Sequence, residues 1–245
     1  MDAVLEIQGM SKAFGGLQAV RDFDLRVNKG DLIGIIGPNG AGKTTVFNMM
    51  TGFIRPDSGE VWFQGENITR LKPYEIVNRG LCRTFQLVDL FKEMTALENV
   101  MIPCFSHRVR HNRAHEEKPW KTAMKFLEEV GLAKRFNEYA KNLAFGELRL
   151  LDIARAMATQ PDILLLDEPF SGLDLEDAGV LSAAIQQMHR KGQTMIIIEH
   201  RLRDLLKLVE RVVAIVFGEK IAEGNPQEIM SNPKVINAYL GERRE

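Results

Sequence analysis

A glycine-rich segment near the start of the chain has the residue types and the spacing of a phosphate-binding loop. Its eight residues are Gly37-Pro38-Asn39-Gly40-Ala41-Gly42-Lys43-Thr44. Glycines let the backbone curl around an anion so that consecutive N–H groups point at it, and a helix beginning near Thr44 adds its positive end. Lys43 can neutralise the β- and γ-phosphates of a nucleotide, and the Thr44 hydroxyl can bind Mg²⁺. Because the segment follows an apolar strand and opens a helix, a nucleotide site is favoured over a chance glycine-rich turn.

Two carboxylates, Asp167 and Glu168, come directly after a second apolar run at residues 163–166. Taken alone, an Asp-Glu pair in this position is as often a solvated loop as a functional site. With a phosphate-binding loop in the same chain, Asp167 is predicted to hold Mg²⁺, directly or through water. Glu168 is then placed to orient and polarise the water that attacks the γ-phosphate. A kinase would also need a site for a hydroxyl acceptor, which the sequence does not indicate.

The elements that must position these residues alternate between strand and helix. In the last third, the predicted strands are 163–166, 194–198 and 212–217, and the predicted helices between them are 175–191 and 201–208. This rhythm predicts a mostly parallel sheet, to which the wholly apolar run 32–36 adds a strand buried on both faces. Further strands are predicted at 4–7, 23–27 and 60–64. From Pro73 to Ala158 the pattern is helical and resembles an insertion, with a capping box at Thr95–Glu98, and two short helices are predicted after Asn225 and Asn232.

Composition limits the kind of protein that this chain can be. It has 245 residues, of which 45% are hydrophobic and 27% charged, with a formal net charge of −1. The absence of a basic excess argues against nucleic acid as the main partner. The two cysteines are too few and too far apart for a disulfide framework or a cysteine-based metal site. The sequence has no apolar run of 18 residues and no export signal at its start, so we expect any membrane association to depend on a partner.

Four further motifs follow in a fixed order and complete a resemblance to the nucleotide-binding domain of the ATP-binding cassette (ABC) family, over essentially the whole chain. They are Arg83-Thr84-Phe85-Gln86, Leu143-Ala144-Phe145-Gly146-Glu147, Ser171-Gly172-Leu173-Asp174 and His200. Each alone has an ordinary structural interpretation, but six motifs in one order do not. The resemblance implies an α/β fold: a P-loop NTPase core with a mostly parallel sheet, an N-terminal antiparallel β subdomain and an inserted α-helical subdomain. It further implies one ABC ATPase domain over residues 1–245, with a RecA-like core and the antiparallel β subdomain at 1–85 and 159–245, a helical subdomain at 86–158 and C-terminal helices at 226–241.

The resemblance also assigns roles to individual residues. Catalysis is expected from Glu168, His200, Gln86 and Lys43, with His200 touching the γ-phosphate. ATP is expected to bind to the loop residues Asn39, Gly40, Ala41, Gly42, Lys43, Thr44 and Thr45. Mg²⁺ is expected on Thr44, Gln86 and Asp167. Phe14 resembles the aromatic residue that stacks on adenine, although a core phenylalanine is the alternative.

In this family the signature loop, here Ala144, Phe145, Gly146 and Glu147, acts on the ATP of an opposing subunit, and Asp174 belongs to the D-loop. Two residues depart from the usual signature pattern. Ala144 replaces a common serine, and Leu148 stands where glutamine is frequent. Phosphate can still bind to the backbone N–H groups of a helix starting near Gly146, so activity is expected to persist. It is expected to be slowed by a lost hydrogen bond of roughly 1.5–3 kcal/mol. A non-catalytic, ATP-dependent clamp is the alternative.

Several stretches that ATP hydrolysis does not require are similar to the ATPases of branched-chain amino acid importers. They are residues 80–86, 90–95, 218–224 and 237–241. The urea and short-amide importers are near relatives, and these stretches do not separate them from the amino acid importers. The resemblance implies a second ABC ATPase subunit, identical or distinct, transmembrane permease subunits, an extracytoplasmic solute-binding protein, and a peripheral location on the cytoplasmic face of the inner (plasma) membrane. A mechanochemical ABC protein acting on ribosomes or DNA is disfavoured, because such proteins usually have two cassettes or a long coiled coil.

A run of three histidines, His107, His111 and His115, has helical spacing that could hold zinc. Arginines crowd the same segment and disfavour a cation, so the favoured interpretation is a solvated, mobile basic insert.

Overall fold

The structure is a computed structural model that describes residues 3–111 and 118–241. By their contacts the chain divides into two compact units. The first comprises Met1–Ile76 and Thr194–Glu245, and the second comprises Val77–Gln193.

Ten strands run along the described residues. They are β1 (Ala3–Phe14), β2 (Leu17–Asn28), β3 (Leu32–Ile36), β4 (Ser58–Phe63), β5 (Glu66–Asn67), β6 (Leu81–Arg83), β7 (Ile163–Asp167), β8 (Thr194–Ile198), β9 (Arg211–Val216) and β10 (Glu219–Gly224).

Ten α-helices and three short 3₁₀ helices accompany the strands in the same part of the chain. The α-helices are α1 (Lys43–Met50), α2 (Pro73–Arg79), α3 (Ala96–Met101), α4 (His107–His111), α5 (Pro119–Glu129), α6 (Phe145–Met157), α7 (Leu175–Arg190), α8 (Leu202–Leu205), α9 (Pro226–Ser231) and α10 (Pro233–Gly241). The 3₁₀ helices are Ile102–Phe105, Ala133–Arg135 and Ala140–Asn142.

The first unit contains an antiparallel sheet with the strand order β2-β1-β4-β5. Alternate residues in the second half of β2, namely Phe23, Leu25 and Val27, are buried, which is the pattern of a sheet with one face against a core. The tight turn between β1 and β2 is made by Gly15 and Gly16, both at positive φ.

The first unit also contains strands in the order β10-β9-β3-β8. β3 pairs in parallel with both β8 and β9, and β10 joins β9 as an antiparallel edge. Every residue of β3 and β8 is buried, as expected for strands of a parallel sheet with both faces covered.

In the second unit, β6 and β7 pair in parallel, and the helices α3, α5 and α6 pack against one another. The predicted capping box begins α3. The Thr95 hydroxyl accepts from the Glu98 N–H at 3.2 Å, and Glu98 Oε2 accepts from the Thr95 N–H at 2.7 Å. This pair satisfies two N–H groups that a helix end leaves without partners.

The strands predicted around β1, β2, β3, β7, β8 and β9 are present, and so are the two C-terminal helices. The strand predicted at 60–64 is present as β4, whereas β5, β6 and β10 were not predicted. β6 has only three residues inside a region whose pattern is helical, and β10 is a partly exposed edge strand rich in charged residues. The helix predicted at 201–208 is shorter, because only Leu202–Leu205 is helical. Within the described residues, no helix has both the length and the apolarity needed to cross a membrane.

Candidate functional site

The glycine-rich loop connects the buried strand β3 to helix α1 in the first unit. Lys43, the first residue of α1, is only 6% exposed. Its ammonium group is turned back over the loop, where Nζ donates to the carbonyl oxygens of Gly37 at 2.6 Å and Pro38 at 2.8 Å. A cation is therefore held over the loop at a helix N-terminus, where positive charge favours a bound phosphate.

Two glycines of the loop lie where no side chain fits. A Cβ on Gly42, which has φ of 99°, would lie 2.3 Å from the carbonyl oxygen of Ala19. A Cβ on Gly37 would lie 2.1 Å from the carbonyl oxygen of Ile215. Neighbouring backbone therefore encloses the loop on both sides, and only glycine permits this approach.

The remaining loop residues differ in their accessibility. Asn39, Gly40 and Thr44 are exposed, Thr45 is half-buried and Ala41 is buried. The predicted nucleotide-binding residues thus run from the loop into the first turn of α1, and exposed and buried positions are mixed along them.

Phe14, the candidate for adenine stacking, ends β1 at the tip of the first hairpin. Its side chain is 45% exposed, so the alternative of a core phenylalanine is wrong. Lys12 Nζ lies 5.6 Å from the centroid of the Phe14 ring and also forms an ion pair with Asp57 at 2.6 Å. An open aromatic face is available, and its stacking on a base stays a prediction.

His200 follows β8 in the first unit and is 47% exposed, whereas its neighbour Glu199 is completely buried. Glu199 Oε1 accepts from the backbone N–H of His200 at 2.9 Å and of Arg201 at 3.1 Å. The same oxygen lies 3.2 Å from His200 Nδ1. The imidazole is therefore next to a buried carboxylate that the sequence analysis did not single out.

In the second unit, Asp167 ends strand β7 and is paired with Arg83, which ends strand β6. Arg83 Nη2 donates to Asp167 Oδ2 at 2.5 Å, and both side chains are 4% exposed. The parallel pairing of β6 and β7 brings together the C-terminal ends of the two strands, which carry these charges, with Arg83 opposite Leu165. One oxygen of the carboxylate predicted to hold Mg²⁺ is thus engaged by an arginine.

Glu168 and Gln86, two predicted catalytic residues, meet in the same unit. Gln86 Nε2 donates to Glu168 Oε2 at 3.0 Å. The Glu168 backbone is left-handed, with φ of 47°, and its carbonyl oxygen accepts from Ser171 N–H at 3.1 Å. A non-glycine residue held in this conformation costs of order 1–3 kcal/mol and is common at functional sites.

The signature segment forms the start of helix α6. The helix begins at Phe145, one residue earlier than the predicted Gly146, and Ala144 is its N-cap. Ala144 offers no side-chain oxygen to the helix end, but Glu147 Oε2 accepts from the Ala144 N–H at 2.9 Å. Glu147 Oε1 also pairs with Arg135 Nε at 2.9 Å.

The D-loop residue Asp174 is the N-cap of α7, where its side chain accepts from the Asp177 N–H at 2.8 Å. Two contacts join this region to the signature segment. A Cβ on Gly146 would lie 2.4 Å from Asp177 Cγ, and a Cβ on Gly172 would lie 3.0 Å from Phe145 Cε1. The N-terminal ends of α6 and α7 are therefore packed directly together.

Arg149, on α6, makes the third contact between the two segments. It is 7% exposed, its Nη2 donates to the Ser171 carbonyl oxygen at 3.2 Å, and its guanidinium carbon lies 5.4 Å from the centroid of the Phe145 ring. We call the set Phe145, Gly146, Arg149, Ser171, Gly172 and Asp177 the signature brace.

The described part of the histidine segment, residues 107–111, only partly matches the solvated insert that was expected, because His107, Arg110 and His111 are exposed whereas two other side chains are not. Val109 is fully buried and the Arg108 side chain is only 11% exposed. Arg108 donates to the carbonyl oxygens of Arg79 and Gln160 and pairs with Asp162 at 2.9 Å, because the end of α2 and the start of β7 present acceptors to it.

The imidazoles of His107 and His111 are stacked, with their centroids 3.8 Å apart, and His111 Nδ1 lies 2.9 Å from the His107 carbonyl oxygen. His115 lies outside the described residues. Within 3–111 and 118–241, no group of three or more His, Cys, Asp or Glu side chains is arranged to hold a metal ion.

Three residues that the sequence analysis gave no role, Arg83, Arg149 and Glu199, contact the candidate site residues. A buried arginine or glutamate is rare unless paired, but burial of one residue is not visible from its local sequence. The only signal was position, since Arg83 and Glu199 each lie at the end of an apolar strand, as Asp167 does.

Comparison with known proteins places these motifs in a family. The family description "ABC transporter" matches residues 20–171, and "Branched-chain amino acid ATP-binding cassette transporter" matches residues 219–245. The chain is 41% identical over 250 residues to the high-affinity branched-chain amino acid transport ATP-binding protein BraF of Pseudomonas aeruginosa, with 98% of each chain covered. It is 38% identical over 251 residues to LivG of Escherichia coli, which carries the same description, again with 98% of each covered.

Solved structures agree with the sequence comparison. A crystal structure of the ADP conformation of an ATP-binding cassette of an ABC transporter matches with a TM-score of 0.88 and 34% identity, covering 98% of this chain and 100% of that one. A dimeric cassette in a post-hydrolysis state with bound ADP and phosphate matches with a TM-score of 0.77 and 25% identity, covering 91% and 98%. The predicted α/β fold of an ABC nucleotide-binding domain is confirmed. With a family match over more than half of its length and relatives of 38–41% identity over nearly all of it, this chain belongs to the ABC transporter family of ATP-binding cassette ATPases.

Proposed function

We propose that this chain is the ATP-hydrolysing subunit of an ABC importer that takes up branched-chain amino acids. The observation that carries the hydrolytic part is the 3.0 Å contact between Gln86 Nε2 and Glu168 Oε2 at the end of β7. A carboxylate held in place by an amide, on a backbone with positive φ, is a general base oriented before substrate binds.

The phosphates of ATP bind in the loop between β3 and α1. Lys43 exchanges its contacts with the carbonyl oxygens of Gly37 and Pro38 for phosphate oxygens, and the loop N–H groups surround the anion. Asn39, Gly40, Ala41, Gly42, Thr44 and Thr45 complete the phosphate site, and Phe14 offers an aromatic face to the base.

The donors predicted for Mg²⁺ are the Thr44 hydroxyl, the Gln86 amide oxygen and the Asp167 carboxylate. All are oxygen ligands, which Mg²⁺ prefers, and it usually keeps several waters beside a carboxylate. Arg83 engages Asp167 Oδ2, and the chemistry of the three donors suits the ion. When bound, Mg²⁺ neutralises charge on the β- and γ-phosphates.

Glu168 orients the attacking water and accepts its proton, and His200 donates to the γ-phosphate. The site is completed by the signature loop of a second ABC ATPase, a distinct chain or a second copy, in a head-to-tail dimer with Asp174 in its D-loop. The N–H groups at the start of α6 bind the γ-phosphate, and Ala144 contributes no hydroxyl. The missing hydrogen bond slows turnover without preventing it, because one such bond to a charged group is worth about 1.5–3 kcal/mol.

Similarity over nearly the full length supports the transported solute, since BraF and LivG are described as branched-chain amino acid transport proteins. The match of residues 219–245 to a branched-chain amino acid family supports it independently of the ATP site. The partners are then transmembrane permeases and an extracytoplasmic solute-binding protein, with this chain peripheral on the cytoplasmic face of the membrane. Urea or a short amide is the alternative solute, and a non-catalytic clamp is the alternative function, favoured by Ala144.

The test is ATP-driven uptake by the whole transporter, reconstituted in proteoliposomes with its permeases and solute-binding protein. We expect leucine to be taken up and unlabelled isoleucine or valine, but not urea or acetamide, to compete. Glu168→Gln is expected to lower both uptake and phosphate release roughly 10²–10⁴-fold, which is the usual contribution of a general base. Equal phosphate release by the wild type and the variant would contradict the motor function. Competition by urea alone would contradict a branched-chain amino acid as the transported solute.

A further inference from the structure

Glu199 is a fully buried carboxylate for which the proposed reaction has no step. It follows β8, and its N–H donates to the Ile35 carbonyl oxygen of β3 at 3.3 Å, so it lies beside the strand that leads into the phosphate loop. Glutamate is almost never fully buried unless it is paired. Its partners therefore indicate what it does.

Three contacts to the Glu199 side chain share one carboxylate oxygen. Oε1 accepts from His200 N–H at 2.9 Å and Arg201 N–H at 3.1 Å, and His200 Nδ1 is 3.2 Å away. The two backbone donors fix the position of the carboxylate, which then offers one acceptor to the imidazole. Since a carboxylate only accepts, Nδ1 must carry the hydrogen.

We propose that Glu199 is a positioning residue for His200, holding the imidazole through Nδ1 so that Nε2 is the atom that meets the γ-phosphate. The inference rests on the proposed function, in which His200 contacts ATP. The half-exposed His200 side chain leaves its outer end accessible, and Nε2 is on the opposite side of the ring from Nδ1.

The same geometry predicts which hydrogens the ring carries when ATP is bound. A phosphate oxygen also only accepts, so a ring between Glu199 and phosphate carries a hydrogen on both nitrogens. Among the nearby charges, Arg201 is paired with Asp204 at 2.9 Å, and β3 carries no titratable side chain. The Glu199 carboxylate thus lies at the Nδ1 side of the ring, opposite the Nε2–H that faces the nucleotide.

The direct test reads the imidazole itself. In long-range proton–nitrogen NMR spectra of the full-length chain at mildly alkaline pH, the His200 signal is identified by its loss in His200→Gln. We expect the Nδ1–H tautomer in the wild type and in Glu199→Gln, which keeps an acceptor oxygen. We expect a shift toward the Nε2–H tautomer, which free imidazole side chains prefer, in Glu199→Ala. The same tautomer in the wild type and Glu199→Ala would overturn the proposal.

Kinetic measurements then distinguish a positioning role of Glu199 from a purely structural one. Glu199→Ala is expected to lower kcat for ATP roughly tenfold with KM within about threefold, while Glu199→Gln keeps most of kcat. Equal losses in both variants, in step with lost thermal stability, would mean a structural role only. If the wild type shows the Nδ1–H tautomer but hydrolyses no ATP, the proposed function fails. Glu199 then has no role in catalysis, although its contact with His200 is confirmed. If the chain hydrolyses ATP but Glu199→Ala changes neither tautomer nor kcat, only the Glu199 proposal fails.

Discussion

The phosphate loop of the first unit and the signature brace of the second are both at the start of a helix, but different parts of the chain build them. The loop is shaped by backbone, since the Ala19 and Ile215 carbonyl oxygens approach glycines that admit no side chain. The brace is shaped by side chains: Arg149 spans from Phe145 to Ser171, and Asp177 packs against Gly146. A site built of backbone tolerates few substitutions at its glycines, whereas one built of side chains can rearrange.

The largest effect on stability is expected at the buried Arg83–Asp167 pair, which belongs to the side-chain-built unit. Arg83→Met leaves Asp167 as an uncompensated charge that is 4% exposed, so we expect a loss of about 3–5 kcal/mol in the free energy of unfolding. The control is Arg135→Met, which breaks the more exposed pair with Glu147 and should cost about 0–1 kcal/mol. Urea denaturation of both variants measures the difference, and equal losses would contradict the assignment of a buried pair.

The next largest effect on stability is expected from a glycine-to-alanine substitution, which can be compared between the phosphate loop and the signature brace. Gly42→Ala sets a Cβ 2.3 Å from a backbone oxygen that cannot move away, and we expect a cost of about 3 kcal/mol or more and loss of nucleotide binding. Gly146→Ala meets the Asp177 carboxyl group, the end of a flexible side chain, and we expect a cost of about 1 kcal/mol or less.

Gly40→Ala is the control for backbone strain alone. Its φ is 74° and no atom lies within 4 Å of its added Cβ, so about 1–2 kcal/mol is expected. Thermal unfolding and binding of a fluorescent ATP analogue rank the three variants. If Gly146→Ala were as damaging as Gly42→Ala, the distinction between the regions would be lost.

A smaller effect is expected from Arg149→Ala, which removes the donor to Ser171 and the contact with the Phe145 ring. Loss of a charge-assisted hydrogen bond is worth about 1.5–3 kcal/mol in unfolding free energy. If the brace also sets the D-loop, ATPase activity should fall in Arg149→Ala while nucleotide binding to the isolated chain is unchanged. An unchanged kcat would mean that the brace has no part in turnover.

The smallest effects are pH dependences of opposite sign within the second unit. Burial raises the pKa of Asp152 above its ordinary value of 3.8, against the lowering effect of Arg155. The folded state therefore holds this proton more tightly than the unfolded state, and ionisation costs stability as pH rises above that value. Relative to the wild type, Asp152→Asn should gain stability as pH rises from about 4 toward neutrality.

Glu98 behaves in the opposite way, because the Thr95 backbone N–H lowers its pKa. Its contribution is complete above its ordinary value of 4.5 and is lost as pH falls through the lowered value. Glu98→Gln should therefore be less stable than the wild type near neutrality, with the difference closing in acid. Urea unfolding across this range checks both variants, and slopes of the same sign would contradict one assignment.

The comparison also explains what could be predicted from sequence. The phosphate loop and the Thr95 capping box are local, since residue types a few positions apart determine where their backbone hydrogen bonds go. The brace contact from Arg149 to Ser171 joins residues that are distant in the sequence, and the Arg83–Asp167 pair depends on β6, a strand too short to be predicted. Arg108 was expected in solvent because its neighbours are charged, yet acceptors at Arg79, Gln160 and Asp162 bury it. Contacts of this kind depend on tertiary packing, which no local pattern contains.

The measurement that tests the central claim most directly is the rate of phosphate release as protein concentration is varied, for the purified chain alone and for its equimolar mixture with the second ATPase subunit. If ATP is hydrolysed between the phosphate loop of one subunit and the signature loop of another, the total rate should rise as the square of protein concentration at low concentration. Specific activity should therefore fall on dilution. Glu168→Gln should release phosphate roughly 10²–10⁴-fold more slowly at every concentration. A rate strictly proportional to protein concentration at all dilutions, or a Glu168→Gln variant as active as the wild type, would contradict the account.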